Sequence, residues 1–278
     1  MGTTEIPTGT DTVRIELDDD GVAVIRFNRP DRRNALHDEM YTPIISTIER
    51  LAGSGEAGCI VVTGEGSAFC AGGDVRDGSG RRDGAPRPTP EQRAENLTAN
   101  ARVAVLLHEA PIVTIAAVNG AAVGAGMSIA LACDLRIASE RASFIGGWAR
   151  LAFSGDFGGA WLLTHRVGPS KALELLATNA TVDAAEALRI GMVDRLAPDG
   201  GFEAAWRVYA LAFARGPRVA IGSMKANVVD AHRLTLGKAI AVESQRMVAS
   251  SQTEDHREAV RAWLDKRQPV FGRRPEGA

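Results

Sequence analysis

Cysteine is scarce in this chain. Its 278 residues include three, Cys59, Cys70 and Cys133, each among apolar or small neighbours, with no CxxC pair and no Cys/His spacing of the kind a metal site uses. They read as buried thiols; neither a disulfide framework nor a metal is expected. Net charge is scarce as well, −2 at pH 7, so the electrostatics give no reason to expect nucleic acid or a membrane surface as partner. No apolar run is long enough to cross a bilayer, and the opening MGTTEIPTGTDT has neither the basic nor the apolar region of a secretion signal. The cytoplasm is the expected compartment. A P-loop is absent. The nearest approach to a dinucleotide loop, Gly120-Ala-Ala-Val-Gly124-Ala-Gly126, is spaced GxxxGxG instead of GxGxxG and lacks a ribose-binding acid downstream, so no nicotinamide cofactor is expected.

What the chain does have is apolar bulk, 45% of its residues, ample for one large domain or a domain with an appendage. Residues 1–10 are polar and expected to be disordered. Alternation over 13–17 and 22–27, around Asp18-Asp19-Asp20-Gly21, predicts a β-hairpin. A loop over 28–34 leads to a helix from Ala35 to about Gly53, then a buried strand over 59–64. The stretch 77–90, rich in Gly, Pro and Arg, reads as a mobile loop. A helix over 91–109 follows, then a buried strand over 113–118 stopped at Asn119-Gly120, and later a strand over 135–138. Beyond Asp156 the pattern predicts helices over 159–167, 170–176 and 184–190, with strand-like pieces at 177–180 and 192–196. From Phe202 to Arg267 apolar residues recur at helical spacing. Strands alternating with helices, then helices alone, predict an α/β core over 11–201 and a C-terminal α-helical domain over 202–278. No repeat is visible in the linear sequence.

The functional signal lies in 113–161. Met127-Ser128-Ile129-Ala130-Leu131-Ala132 is apolar all round, as a buried helix is. Its first turn, Gly124-Ala125-Gly126, offers unpartnered N–H groups and a positive dipole end, with side chains small enough for a ligand oxygen to approach. A second small-residue turn, Cys70-Ala71-Gly72-Gly73-Asp74, also follows a strand-like run. The N–H groups of Gly73 and Ala125 can converge on one oxygen; close helix–strand packing is the plain alternative. Asp156 is the lone acid among Trp148, Leu151, Phe153, Phe157, Gly158 and Gly159. Beside Phe153 and Phe157 such a carboxylate loses water, and its pKa rises toward the range of a general base. A helix N-cap is its structural alternative.

The segments FNRPDRRNAL (27–36), VVTGEGSAFCAGGDV (61–75), AAVNGAAVGAG (116–126) and ACDLRIAS (132–139) resemble the crotonase, or enoyl-CoA hydratase/isomerase, superfamily, and the likeness runs from Val13 to Phe271. The resemblance implies a crotonase-like spiral of ββα turns with a C-terminal helical domain that serves oligomerisation and covers the active site. It implies a homotrimer or a dimer of trimers. It also implies an acyl-CoA substrate, coenzyme A arriving as part of that substrate with no separate cofactor. The thioester oxygen is then held by the N–H groups of Gly73 and Ala125, each donor worth roughly 2.7–4 kcal/mol to the developing enolate. Ala125 stands where glycine is usual, a harmless change because only its N–H is used. By the same likeness Arg33, Ala35 and Ala71 meet the adenine and pantetheine arm, and Asp74, Ser128 and Trp148 are placed with the substrate. Lys225 and Phe271 become nucleotide contacts, in their own subunit or a neighbour's; a solvated helix lysine is the alternative for Lys225.

The likeness to hydratases breaks at two positions. Their two glutamates fall at Ser128 and Trp148, neither of which does carboxylate chemistry. A serine on a buried helix ordinarily satisfies a backbone carbonyl, the alternative being to orient a water or substrate oxygen. Asp156 remains, and segment 151–168 resembles isomerising members with one acid at this place, the group of 1,2-epoxyphenylacetyl-CoA isomerase. One carboxylate can remove a proton alpha to the thioester and return it two carbons along, so an acyl-CoA isomerase is the expected function. Trp148 and Asp156 also match the spacing in 4-chlorobenzoyl-CoA dehalogenase, whose aspartate attacks the aromatic ring and which needs a histidine to activate water and release the aryl ester; His108, the nearest here, falls several residues late. A hydratase or hydrolase drawing on Ser128 or the 77–90 loop, and a non-catalytic acyl-CoA-binding protein, complete the alternatives.

Overall fold

The structure, a computed structural model, describes residues 2–74 and 88–272; nearly all of the expected 77–90 loop lies outside the described residues. The larger of its two sheets has seven strands. β1 (Thr3–Ile6), β2 (Val13–Asp18) and β3 (Val22–Phe27) pair antiparallel. Next to β3 come β4 (Cys59–Gly64), β6 (Val113–Val118), β8 (Leu135–Ser139) and β11 (Arg195–Ala197), all parallel. The smaller sheet stacks three-residue strands β5 (Ala68–Cys70), β7 (Ala121–Val123) and β9 (Ser143–Ile145), closed by antiparallel β10 (Thr181–Asp183). The chain winds from the large sheet to the small one and out through a helix. β4 and β5 lead to α2 (Pro90–Glu109), β6 and β7 to α3 (Ala125–Ala132), β8 and β9 to α4 (Gly159–Val167). That ββα spiral is the expected architecture.

Central strands buried on both faces read as unbroken apolar runs, and β4 and β6 are buried at every residue. Ile60 and Val62 face one core with α1 (Asp38–Ser54), α2 and α3. Cys59 and Val61 face the other, closed by α7 (Phe202–Ala214) through Trp206, Ala210 and Ala214. The helices from Phe202 onward therefore begin inside the core, and α7 is a layer of it. All three cysteines are free and buried; burial pushes Cys70 and Cys133 up to about 12, which makes them inert. Among the described residues no helix is long and apolar enough to cross a membrane.

Several expectations need correction. The N-terminal residues expected to be disordered contain β1, because β2 has an open edge and Thr3–Ile6 pair along it in register with Ile15–Asp18. α1 starts at Asp38 instead of Ala35, since Leu36 gives its N–H to Gly72 O and accepts from Asp74 N–H, which holds Leu36 in a bridge outside the helix. Residues 177–178 belong to α5 (Pro169–Thr178), left-handed Asn179 stops it, and the strand comes two residues later at β10. The piece at 192–196 is likewise displaced to β11, behind α6 (Ala184–Arg189). The last three helices are α8 (Arg218–Asp230), α9 (Leu236–Ser250) and α10 (Glu254–Leu264).

Candidate active site

The two small-residue turns meet. Ala71 N–H donates to Arg33 O at 3.0 Å, and Leu36 pairs on either side of Gly73 through Gly72 O and Asp74 N. In a parallel bridge of this kind the residue between the two bonds points its own N–H away, so Gly73 keeps a free donor. Beside it, a Cβ on Gly72 would stand 2.9 Å from Val123 O and 3.6 Å from Ala125 N, and Gly72 holds φ +84°. Only glycine allows that approach. A side chain on Gly126 would collide with Cys70 O, which fixes the start of α3 against the end of β5. Ala125 is the first residue of a helix whose eight residues are all buried, and its N–H lies beyond the reach of intrahelical acceptors. Among the described residues neither Gly73 nor Ala125 donates its N–H to a protein acceptor.

Three polar side chains hold this framework, all inside motifs already read for other reasons. Arg29 reaches Ala35 O at 2.9 Å and Asp74 Oδ2 at 3.0 Å. Asn34, fully buried, accepts from Arg29 N–H and donates to Glu65 O and Ala68 O. Asn119 accepts from Gly64 N–H and donates to the carbonyls of Gly64, Gly66 and Ala68. Their signal was available in the sequence: polar residues in turns between buried strands are there to satisfy backbone groups.

The carboxylate arrives from the other side. Trp148 Nε1 donates to Asp156 Oδ1 at 2.9 Å. The indole fits because its neighbours are glycines. A Cβ on Gly159 would come 2.5 Å from Trp148 Cη2 and 2.6 Å from Ser128 Oγ; one on Gly124 would lie 3.8 Å from Nε1. Trp148 thus spans from the acid to the residue before Ala125. Partial burial pushes the Asp156 pKa up, and the Trp148 N–H pulls against that rise. Sequence reasoning missed Tyr41, on the buried face of α1. Its ring packs 6.0 Å from that of Phe157, and its phenol is held protonated first by burial and also by the nearby carboxylates of Asp38 and Asp156. Nothing in an amphipathic helix pattern sets such a tyrosine apart from core.

The remaining site expectations divide. Arg33, Ala35 and Ala71 come together as one strip beside Gly73. The Ser128 hydroxyl is fully buried and shared between Asp156 O at 3.2 Å and Gly124 O at 3.4 Å, a tie between α3 and the acid's loop. Asp74 is engaged by Arg29 and positions the turn. Phe153 turns outward, 64% exposed, so Phe157, Trp148 and Tyr41 supply the apolar surroundings of the acid, while Phe144 sits in the core. Lys225 is neither solvated nor free for a nucleotide. It is buried, 2.8 Å from Asp134, and donates to Leu107 O and Ile112 O at 2.9 Å. Phe271 lines a small cavity with Pro217, Ala220 and Met247, apart from the Arg33 strip. Among the described residues no group of three or more His, Cys, Asp or Glu side chains is placed to hold a metal.

A two-sheet ββα spiral with two free amides, one in the turn after β5 and one at a buried helix start, and a half-buried carboxylate near that helix defines the crotonase class of α/β proteins. Comparisons agree. The profile of the family described as enoyl-CoA hydratase/isomerase matches residues 18–274, and the chain belongs to that family, one of acyl-CoA enzymes. It is 35% identical to a "probable enoyl-CoA hydratase" of Rhodobacter capsulatus, covering 94% of this chain and 97% of that one. It is 32% identical to 4-chlorobenzoyl coenzyme A dehalogenase-1 of an Arthrobacter species, covering 83% of each. It is 30% identical to 1,2-epoxyphenylacetyl-CoA isomerase of Escherichia coli, covering 90% and 95%. The crystal structure of an enoyl-CoA hydratase from a Polaromonas species superposes with a TM-score of 0.85 at 29% identity, over 94% of this chain and 99% of that one.

Proposed function

We propose that this chain is an acyl-CoA isomerase in which Asp156 alone moves the proton. The observation that carries the reading is the Asp156 carboxylate, half-buried and held by Trp148 beside the start of α3, with serine and tryptophan at the two positions where hydratases of the family keep glutamates. The thioester oxygen of the substrate sits between the Gly73 and Ala125 N–H groups. Asp156 takes a proton from the carbon alpha to the thioester, and negative charge spreads onto that oxygen, where the two amides and the positive end of α3 stabilise it. The same carboxyl, now protonated, delivers the proton two carbons along. Bonds and charge balance without a second acid or a water. CoA lies along the Arg33–Ala35–Ala71 strip, and the outward apolar residues Leu236, Ile240, Met247 and Trp263 on α9 and α10 fit burial in a homotrimer or a dimer of trimers.

The test is a paired assay with a 3-enoyl-CoA and a 2-enoyl-CoA, followed by the ultraviolet absorbance of the conjugated thioester. A rise with the 3-enoyl substrate that Asp156→Asn abolishes supports the isomerase; a fall with the 2-enoyl substrate indicates hydration and counts against it. The Trp148–Asp156 pair and the Arthrobacter relative favour the dehalogenase as a second reading. That chemistry needs an imidazole beside the aspartate, and His108 packs instead on Trp161. Chloride release from 4-chlorobenzoyl-CoA would decide for it. An acyl-CoA-binding protein without catalysis would be silent in every arm.

A further inference from the structure

We propose that the acyl group this chain accepts has an apolar, ring-sized body and ends in an uncharged hydroxyl, received by His108; the inference rests on the acyl-CoA reading above and gives it a substrate class. The cavity concerned, about 240 Å3, lies between α2 and the start of α4. Ala101, Ala104 and Val105 form one wall, Phe157, Trp161 and Leu162 the other. It opens one residue past Asp156. There Phe157 holds φ +50° and Gly158 φ +72°, and a bulky residue keeps such a conformation only where its surroundings impose it. The turn lets one buried ring pack on Tyr41 and line the cavity as well. An apolar cavity of about 150 Å3 admits benzene, so this one holds a ring and a small substituent.

The far end is polar. Glu109 and Arg233 pair with each other at 2.6 Å, whereas His108 Nε2 is buried with no hydrogen-bond partner among the described residues, its ring edge-on to Trp161 at 5.4 Å. Buried nitrogens of this kind ordinarily have a partner. The cavity's lining extends from Phe157 and Gly158, the two residues after Asp156, to His108 near the end of α2. An acyl group anchored at Ala125 and passing Asp156 meets this lining first at Phe157, and His108 is the neutral polar group the lining offers it. Burial lowers the His108 pKa, so at pH 7 the ring is neutral, with one N–H and one lone pair. A hydroxyl donates or accepts and satisfies either tautomer. A carboxylate only accepts, so it suits one of the two tautomers and not the other, and it would meet Glu109 beside it.

The test is calorimetric titration with two saturated, non-isomerisable probes of matched volume, 3-(4-hydroxyphenyl)propanoyl-CoA and 3-(4-methylphenyl)propanoyl-CoA. Wild type is expected to bind the hydroxyl probe about tenfold more tightly or better, the scale of one well-made buried hydrogen bond. The difference should collapse in His108→Leu and persist in part in His108→Gln, which keeps a polar group near Nε2. Equal affinities in wild type, or a preference undiminished in His108→Leu, overturn the inference and leave the acyl-CoA reading standing. Probes that bind no better than CoA itself overturn both. If His108→Leu does not fold, the wild-type comparison and His108→Gln decide.

Discussion

Two influences act on Asp156 in opposite directions: burial raises its pKa, and the Trp148 N–H lowers it. A general base works only when ionised, so the acid limb of kcat should lie above the usual carboxylate range, and removing the indole N–H should move it higher still. Trp148→Phe is therefore expected to shift the limb of the pH–rate profile upward; a lower kcat with an unmoved limb would reduce Trp148 to packing. Stability has its own sign. The fold binds the Asp156 proton more tightly than the unfolded chain does, so the ionised form works against folding above the raised pKa, and that penalty fades as pH falls toward the unfolded value. Asp156→Asn, which still accepts from Trp148, should melt no lower than wild type at pH 8, with its advantage shrinking in acid. Thermal melts across pH check this. Asp156 itself was legible as a lone acid in an apolar stretch. Its true neighbours were not, because Phe153 turns outward while Tyr41 arrives from α1, more than a hundred positions earlier in the sequence.

At the scale of elements, a buried helix start depends on what is kept small around it. Gly159→Ala pushes a Cβ into Trp148 and Ser128 Oγ, and overpacking of this kind costs about 1–3 kcal/mol; a larger fall in kcat than in stability is expected, measured by paired melts and rates. Lys225 ties α8 to the end of α2 and to Asp134. Lys225→Met leaves that carboxylate without its cation and should cost on the order of 3–5 kcal/mol, with no change in KM for an acyl-CoA. A raised KM at unchanged stability would restore the nucleotide contact. α3 and α4 were read to the residue or nearly so, since continuous burial marks α3 and bounding glycines mark α4. The small sheet escaped notice because three-residue strands such as β5, β7 and β9 are too short for alternation to show. Its place was held in the sequence only by runs of small residues.

Taken whole, the molecule is a structural repeat with no sequence repeat. Each ββα turn uses its own side chains to cover the one before, and only backbone course recurs, so the spiral could be expected from family likeness and not from periodicity. The outer helices extend the same point. α9 has no buried residue, and Met247, Leu236 and Trp263 stand exposed, apolar surface that the proposed assembly would cover. Light scattering at micromolar concentration should give three times the 29.4 kDa chain or a multiple of that; a monomer would contradict the assembly proposed from these faces.

The most direct measurement is conversion of a 3-enoyl-CoA in deuterium oxide by wild type and by Asp156→Asn, read by mass spectrometry of the 2-enoyl product. Proton transfer through a single carboxylate predicts steady conversion by wild type, and a rate lower by about 10²–10⁴ in the variant, the usual contribution of a positioned acid–base group. Conversion by Asp156→Asn at the wild-type rate would contradict the account.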